Sequence, residues 1–67
     1  LQVVFPWKLL EIYPIDKREA VLGMLAQDPR PTYFQDPKRI YGVSYAGYDI
    51  KFQVKGDTLT VHDVVKL

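Results

Sequence analysis

From residue 40 onward the chain alternates apolar and polar positions in three runs. IYGVSY (40–45), YDIKFQVK (48–55) and TLTVHDVV (58–65) each repeat with period two, the signature of strands buried on one face. Ala46-Gly47 and Gly56-Asp57 separate them, and glycine at the first position of the second pair suits a type II′ hairpin. Two-residue turns fix the register. Tyr45 then faces Tyr48, Val43 faces Ile50, Tyr41 faces Phe52, Val54 faces Leu59 and Phe52 faces Val61, all on one core face. The other face carries Ser44, Asp49, Lys51, Gln53, Lys55, Thr58, Thr60 and His62, with Lys51 opposite His62. Asp63 falls on the core phase, which predicts a bulge beside it.

The first half of the chain reads differently. QVVF (2–5) is a short strand, and PWKLLEIY (6–13) a short apolar helix that Pro14 ends. A second helix is expected over 17–27, with Asp16 as N-cap, Glu19 in capping-box spacing, and Ile15 and Ala20 at the staple positions. Pro29 stops it. Residues 28–38 (DPRPTYFQDPK) form a loop stiffened by three prolines, with two Asp-Pro turn starts. The expected fold is α+β: a short N-terminal strand and two helices packed on one face of an antiparallel three-stranded β-meander, one domain over 1–67.

At 67 residues the chain is one small domain, and 48% hydrophobic composition marks it as folded. It has no cysteine, which excludes disulfides and thiolate metal sites and favours an intracellular, cytoplasmic setting. Nothing reads as a signal peptide or membrane span. The opening at Leu1 suggests a domain excised from a larger protein. Net charge is only +1, but the segment from Arg30 to Lys55 sets five basic residues against two acids.

Candidate chemistry is sparse. Ser44, His62 and an aspartate could make a hydrolytic set, but no elbow motif accompanies them, and solvated strand residues are the better reading. No glycine-rich phosphate loop is present, a single histidine builds no metal cage, and the size leaves little room for a cofactor pocket of about 300 Å³. The stretch Asp28-Pro29-Arg30-Pro31-Thr32-Tyr33 stands out. Prolines on both sides hold Arg30, whose planar fork suits a phosphate, with Tyr33 as a stacking ring. Alternatively, Arg30 bridges Asp28 or Asp36 and only locks the loop. Lys51, Lys55 and His62 on the polar face could meet RNA phosphates or plain solvent. Tyr41, Tyr45, Tyr48 and Phe52 resemble an RNA-stacking platform by number, but their phase places them in the core. Trp7 could be core or an exposed anchor, with core the better reading.

LAQDPRPTY (25–33), DPKRIYGVSYAGYDIKFQV (36–54) and LTVHDV (59–64) resemble the C-terminal domain of the TrmO family, also called YaeB-like or TsaA-like tRNA methyltransferases. The resemblance runs from about Val3 to Val65. It implies a parent with an N-terminal β-barrel domain that binds S-adenosylmethionine and methylates N6 of threonylcarbamoyl-adenosine beside the anticodon. This chain would be the accessory domain, without cofactor or catalytic residues of its own, with tRNA and that methyltransferase domain as partners. The family motif would fall on Asp28, Pro29, Arg30 and Tyr33, and Asp36, Lys38, Arg39, Tyr41, Lys51 and His62 complete the candidate RNA-contacting set. Two other readings compete: a RelE-type ribosome-dependent RNase toxin, also helices before a β-meander, and a protein-interaction module that touches no RNA.

Overall fold

The computed structural model describes residues 1–30 and 36–67. Strand β1 (Gln2–Val4) leads into helices α1 (Trp7–Leu10) and α2 (Ile15–Ala26). Strands β2 (Tyr41–Tyr45), β3 (Tyr48–Lys55) and β4 (Thr58–Lys66) follow. The class is α+β, and β2, β3 and β4 form the expected meander. The three-stranded expectation needs correction: the sheet has four strands in the order β1-β4-β3-β2. Gln2, Val3 and Val4 pair in parallel with Thr58, Leu59 and Thr60. The strand ladder covers part of β4's outer edge, which would otherwise present unpaired backbone groups.

The hairpins set the register as expected. Tyr41↔Phe52, Val43↔Ile50 and Tyr45↔Tyr48 pair across β2 and β3, and Val54↔Leu59 and Phe52↔Val61 across β3 and β4. Ala46 and Gly47 both have positive φ, the type I′ pattern, and Gly56 has φ +62 at the first position of the second turn. The bulge near Asp63 is present and shifts the ladder between Lys51 and Phe52. It also moves one expected pair: Lys51 lies opposite Asp63, not His62. His62 is the extra residue, and the shift returns Val64 to the core side opposite Ile50.

The core lies between the helices and one sheet face. Val21 and Leu25 of α2 are fully buried with Ile50, Phe52, Leu59 and Val61. Tyr13 is their largest companion. Its hydroxyl donates to the Tyr45 carbonyl at 2.9 Å, and its ring meets Tyr45 and Tyr48 edge to face. Burial, then the neighbouring Tyr48, Tyr45 and Asp49, raise the Tyr13 pKa above its ordinary value of 10.0.

Three details of the helices differ from expectation. The 6–13 helix is one turn, Trp7–Leu10, because the residues before Pro14 leave helical geometry to drop Tyr13 into the core. Helix α2 starts at Ile15 behind Pro14, so Asp16 lies in its first turn and no side chain caps it. Asp16 still favours the positive helix end. Ile15 is 80% exposed, so the staple does not form. Trp7 is not core either: it is 60% exposed, with the Arg18 guanidinium 5.0 Å from its ring centre.

Candidate nucleic-acid interface

Helix α2 ends in a left-handed residue, Asp28, at φ +60. Aspartate tolerates this region better than most residues, and the Asp28 amide closes the helix by donating to Leu25 at 3.2 Å. The geometry aims the Asp28 carboxylate at Arg30. Arg30 Nε donates to Oδ1 at 2.6 Å, its Nη2 donates to Oδ2, and its backbone N–H reaches Oδ1 at 3.4 Å. This is a bidentate fork on a carboxylate. The Arg30 side chain is only 9% exposed. Its hydrogen bonds hold the Asp28 pKa below the ordinary 3.8, and Asp28, with help from the Tyr41 hydroxyl, raises that of Arg30.

Tyr41 joins the two motif segments. Its ring stacks on Phe52 at 5.5 Å, and the Arg39 guanidinium sits over it at 5.6 Å. Thus Asp28, Arg30, Arg39 and Tyr41 form one connected group. Pro29 stands between the paired Asp28 and Arg30. The expected role of Tyr33, like the second proline beside Arg30, lies outside the described residues.

Asp36 builds the second turn. Its Oδ1 accepts from the Lys38 N–H at 3.0 Å and its carbonyl from the Arg39 N–H at 3.2 Å. Gln53, on the open face of β3, ties this turn to the sheet: its Nε2 donates to the Lys38 carbonyl at 2.8 Å. Gln53 Oε1 meets His62 Nε2 at 2.5 Å. Lys38, Gln53 and His62 therefore sit together, with Lys55 two residues along the same strand face. Sequence reasoning placed Gln53 on this face but missed its bridging role. Its spacing from Lys51 and Lys55 was the available signal.

Lys51 is in a different situation. Its Nζ lies 2.5 Å from Asp49 Oδ2, and Asp63 is across the ladder. Gly42 makes room for this pair, since a Cβ there would stand 3.2 Å from Asp49 Oδ1. Ser44 faces Asp49 on β2, whereas His62 is occupied by Gln53, so the hydrolytic set is not assembled.

A surface hollow of about 340 Å³ lies among Asp28, Arg30, Pro37, Val54, Lys55 and Asp57, more room than the chain's length suggested. Four of these residues are charged, and none of the described lining residues is aromatic. Among the described residues no group of His, Asp and Glu could hold a metal ion, and no helix is long and apolar enough to cross a membrane.

A family model, described as the TrmO C-terminal domain, matches residues 8–67. The chain belongs to this family. Its expected kinship, a domain associated with tRNA methyltransferases, is thereby established, and the toxin reading falls away. The matched span begins inside α1 and takes in the whole meander, the Asp28–Arg30 pair and the Lys38–Gln53–His62 cluster. No curated relative and no solved structure matches the chain.

Proposed function

We propose that this TrmO C-terminal domain is the tRNA-contacting part of an S-adenosylmethionine-dependent enzyme that methylates N6 of threonylcarbamoyl-adenosine. The cofactor would be held, and the methyl group transferred, by another domain. The residues described here supply the grip on the RNA backbone.

One observation carries this reading. The helices cover only one face of the sheet, and the open face gathers Lys38 and Lys55 at one end, beside Gln53. Neither Lys38 nor Lys55 has an ion pair among the described residues, whereas Arg30 and Lys51 each sit on a carboxylate. Cations that the fold does not neutralise are those left for phosphates. The 36–39 turn is also held by Asp36 and Gln53, so its backbone is set before RNA arrives. Arg30 then acts behind the surface, bracing the loop.

The test is tRNA binding by the chain at two salt concentrations. Lys38→Ala and Lys55→Ala together should weaken binding and flatten the salt dependence, by roughly 0.7–0.9 in the log–log slope per lost phosphate contact. Unchanged affinity and slope would remove this face from consideration. Calorimetric titration should find no micromolar S-adenosylmethionine affinity in the chain.

A second reading rests on a separate observation. Trp7 and Ile15 are exposed at the α1–α2 corner, away from the sheet's open face. They suit docking onto the methyltransferase domain of the same protein, and Trp7→Ala should weaken that docking without altering the chain's melting temperature.

A further inference from the structure

We infer that His62 accepts a hydrogen bond from a ribose 2′-hydroxyl, so that the open sheet face distinguishes RNA from DNA. This rests on the RNA-contacting reading above.

The argument starts from the Gln53 amide. Its Nε2 donates to the Lys38 carbonyl, and a carbonyl can only accept. The amide cannot be flipped, because an oxygen would then face an oxygen. Gln53 Oε1 is therefore the atom that meets His62 Nε2 at 2.5 Å, and it too only accepts. His62 Nε2 must carry the hydrogen. In a neutral imidazole the other nitrogen, Nδ1, is then an acceptor.

An exposed strand histidine needs no such control for folding. Here the ring sits at the one β-bulge in the β3–β4 ladder, and bulges re-aim side chains. A chain of two hydrogen bonds connects it to the turn that carries Lys38. The result is a held acceptor on the face that also carries Lys38 and Lys55, which can only donate. Phosphate oxygens suit the ammonium groups of Lys38 and Lys55 but not Nδ1, which needs a donor. In an RNA backbone the donor next to each phosphate is the 2′-hydroxyl, the group DNA lacks.

The experiment compares the chain's affinity for an RNA stem–loop and for the same stem–loop with 2′-fluoro sugars, which keep A-form geometry but cannot donate. The wild-type chain should prefer the natural RNA by about 3- to 10-fold, the effect of one hydrogen bond. His62→Ala should bind both forms equally, near the wild-type affinity for the fluoro form. Gln53→Leu, which releases the ring, should lose the preference as well and serves if His62→Ala lowers the melting temperature. Equal wild-type binding of both forms, with Lys38→Ala and Lys55→Ala weakening each, would overturn the hydroxyl assignment and leave the RNA face intact. A His62→Ala loss that is equal on both forms would mean a base or phosphate contact instead. No binding to either form would overturn this assignment together with the proposed function.

Discussion

Arg30→Ala separates bracing from RNA contact. The substitution removes a two-point fork on Asp28, and leaves that carboxylate, 26% exposed on its side chain, with only the residue-30 backbone N–H at 3.4 Å. Hydrogen bonds to charged groups contribute about 1.5–3 kcal/mol when buried, and exposed ion pairs under about 1 kcal/mol. Arg30 is nearly covered but Asp28 still meets water, so about 1–2 kcal/mol is the expected loss. In a domain this small each kcal/mol moves the melting temperature by about 4–8 °C. Thermal melts followed by circular dichroism should therefore show a drop of about 5–15 °C near neutral pH. The gap should depend on acid. The folded-state Asp28 pKa lies below 3.8, so the pair stabilises above that value and the contribution disappears as pH falls through the folded pKa. Wild type and Arg30→Ala should converge in strong acid. Affinity for tRNA should stay within about twofold. An unchanged melting temperature with a clear loss of tRNA affinity would refute the bracing role and turn Arg30 toward the RNA.

The remaining predictions address the core and the open face. Tyr13→Phe should cost about 1 kcal/mol in urea denaturation at neutral pH by leaving the Tyr45 carbonyl without its donor. Because the folded Tyr13 pKa is raised, its stabilisation is complete below pH 10 and is lost above it, so the gap between wild type and variant should narrow in alkali; a constant gap would contradict this. Phe52→Ala, at a fully buried site, should cost about 3–5 kcal/mol, and an unchanged denaturation midpoint would show the register to be wrong. Asp49→Asn should release Lys51 and tighten RNA binding at low salt, an advantage that fades as salt rises. No gain at low salt would count against the open face as the RNA surface.

The parts of the fold that were legible in the sequence share one property: they are local. Ala46-Gly47 and Gly56-Asp57 are two-residue turns, and such turns leave a single register for the strands they join. The alternation then placed Tyr41, Ile50, Phe52, Val54, Leu59 and Val61 on the core face. The bulge was legible for the same reason, since Asp63 broke the alternation. Its consequence was not, because an extra residue can be accommodated on either side of the break, and so the partner of Lys51 changed. The pairing of β1 with β4 spans most of the chain, and no short-range pattern reports it. Trp7 and Asp16 failed differently. Their residue types favour core and cap, but Pro14 fixed where α2 begins, and Arg18 gave the indole a partner at the surface.

Charge pairing explains why the site was harder to read than the fold. Counting basic residues from Arg30 to Lys55 treats all five alike, yet the structure sorts them. Asp28 is bound to Arg30 because a left-handed residue ends α2 and turns its carboxylate back two positions along the chain. Asp49 takes Lys51 because both lie on one face of β3 and Gly42 leaves space beside them. The sequence left Asp28 and Asp36 as equal partners for Arg30 and named none for Lys51; residue type alone does not choose. Each pairing depends on a backbone detail, a positive φ in one case and a missing Cβ in the other. Among the described residues, Lys38 and Lys55 have no such ion pair. The turn carrying Lys38 is fixed by a glutamine whose other end orients a histidine. The open face therefore offers donors from the lysines and, in the reading proposed above, an acceptor on the His62 ring that Gln53 holds. That combination is what the proposed contact with a sugar–phosphate backbone requires, whereas bulk solvent needs no fixed ring.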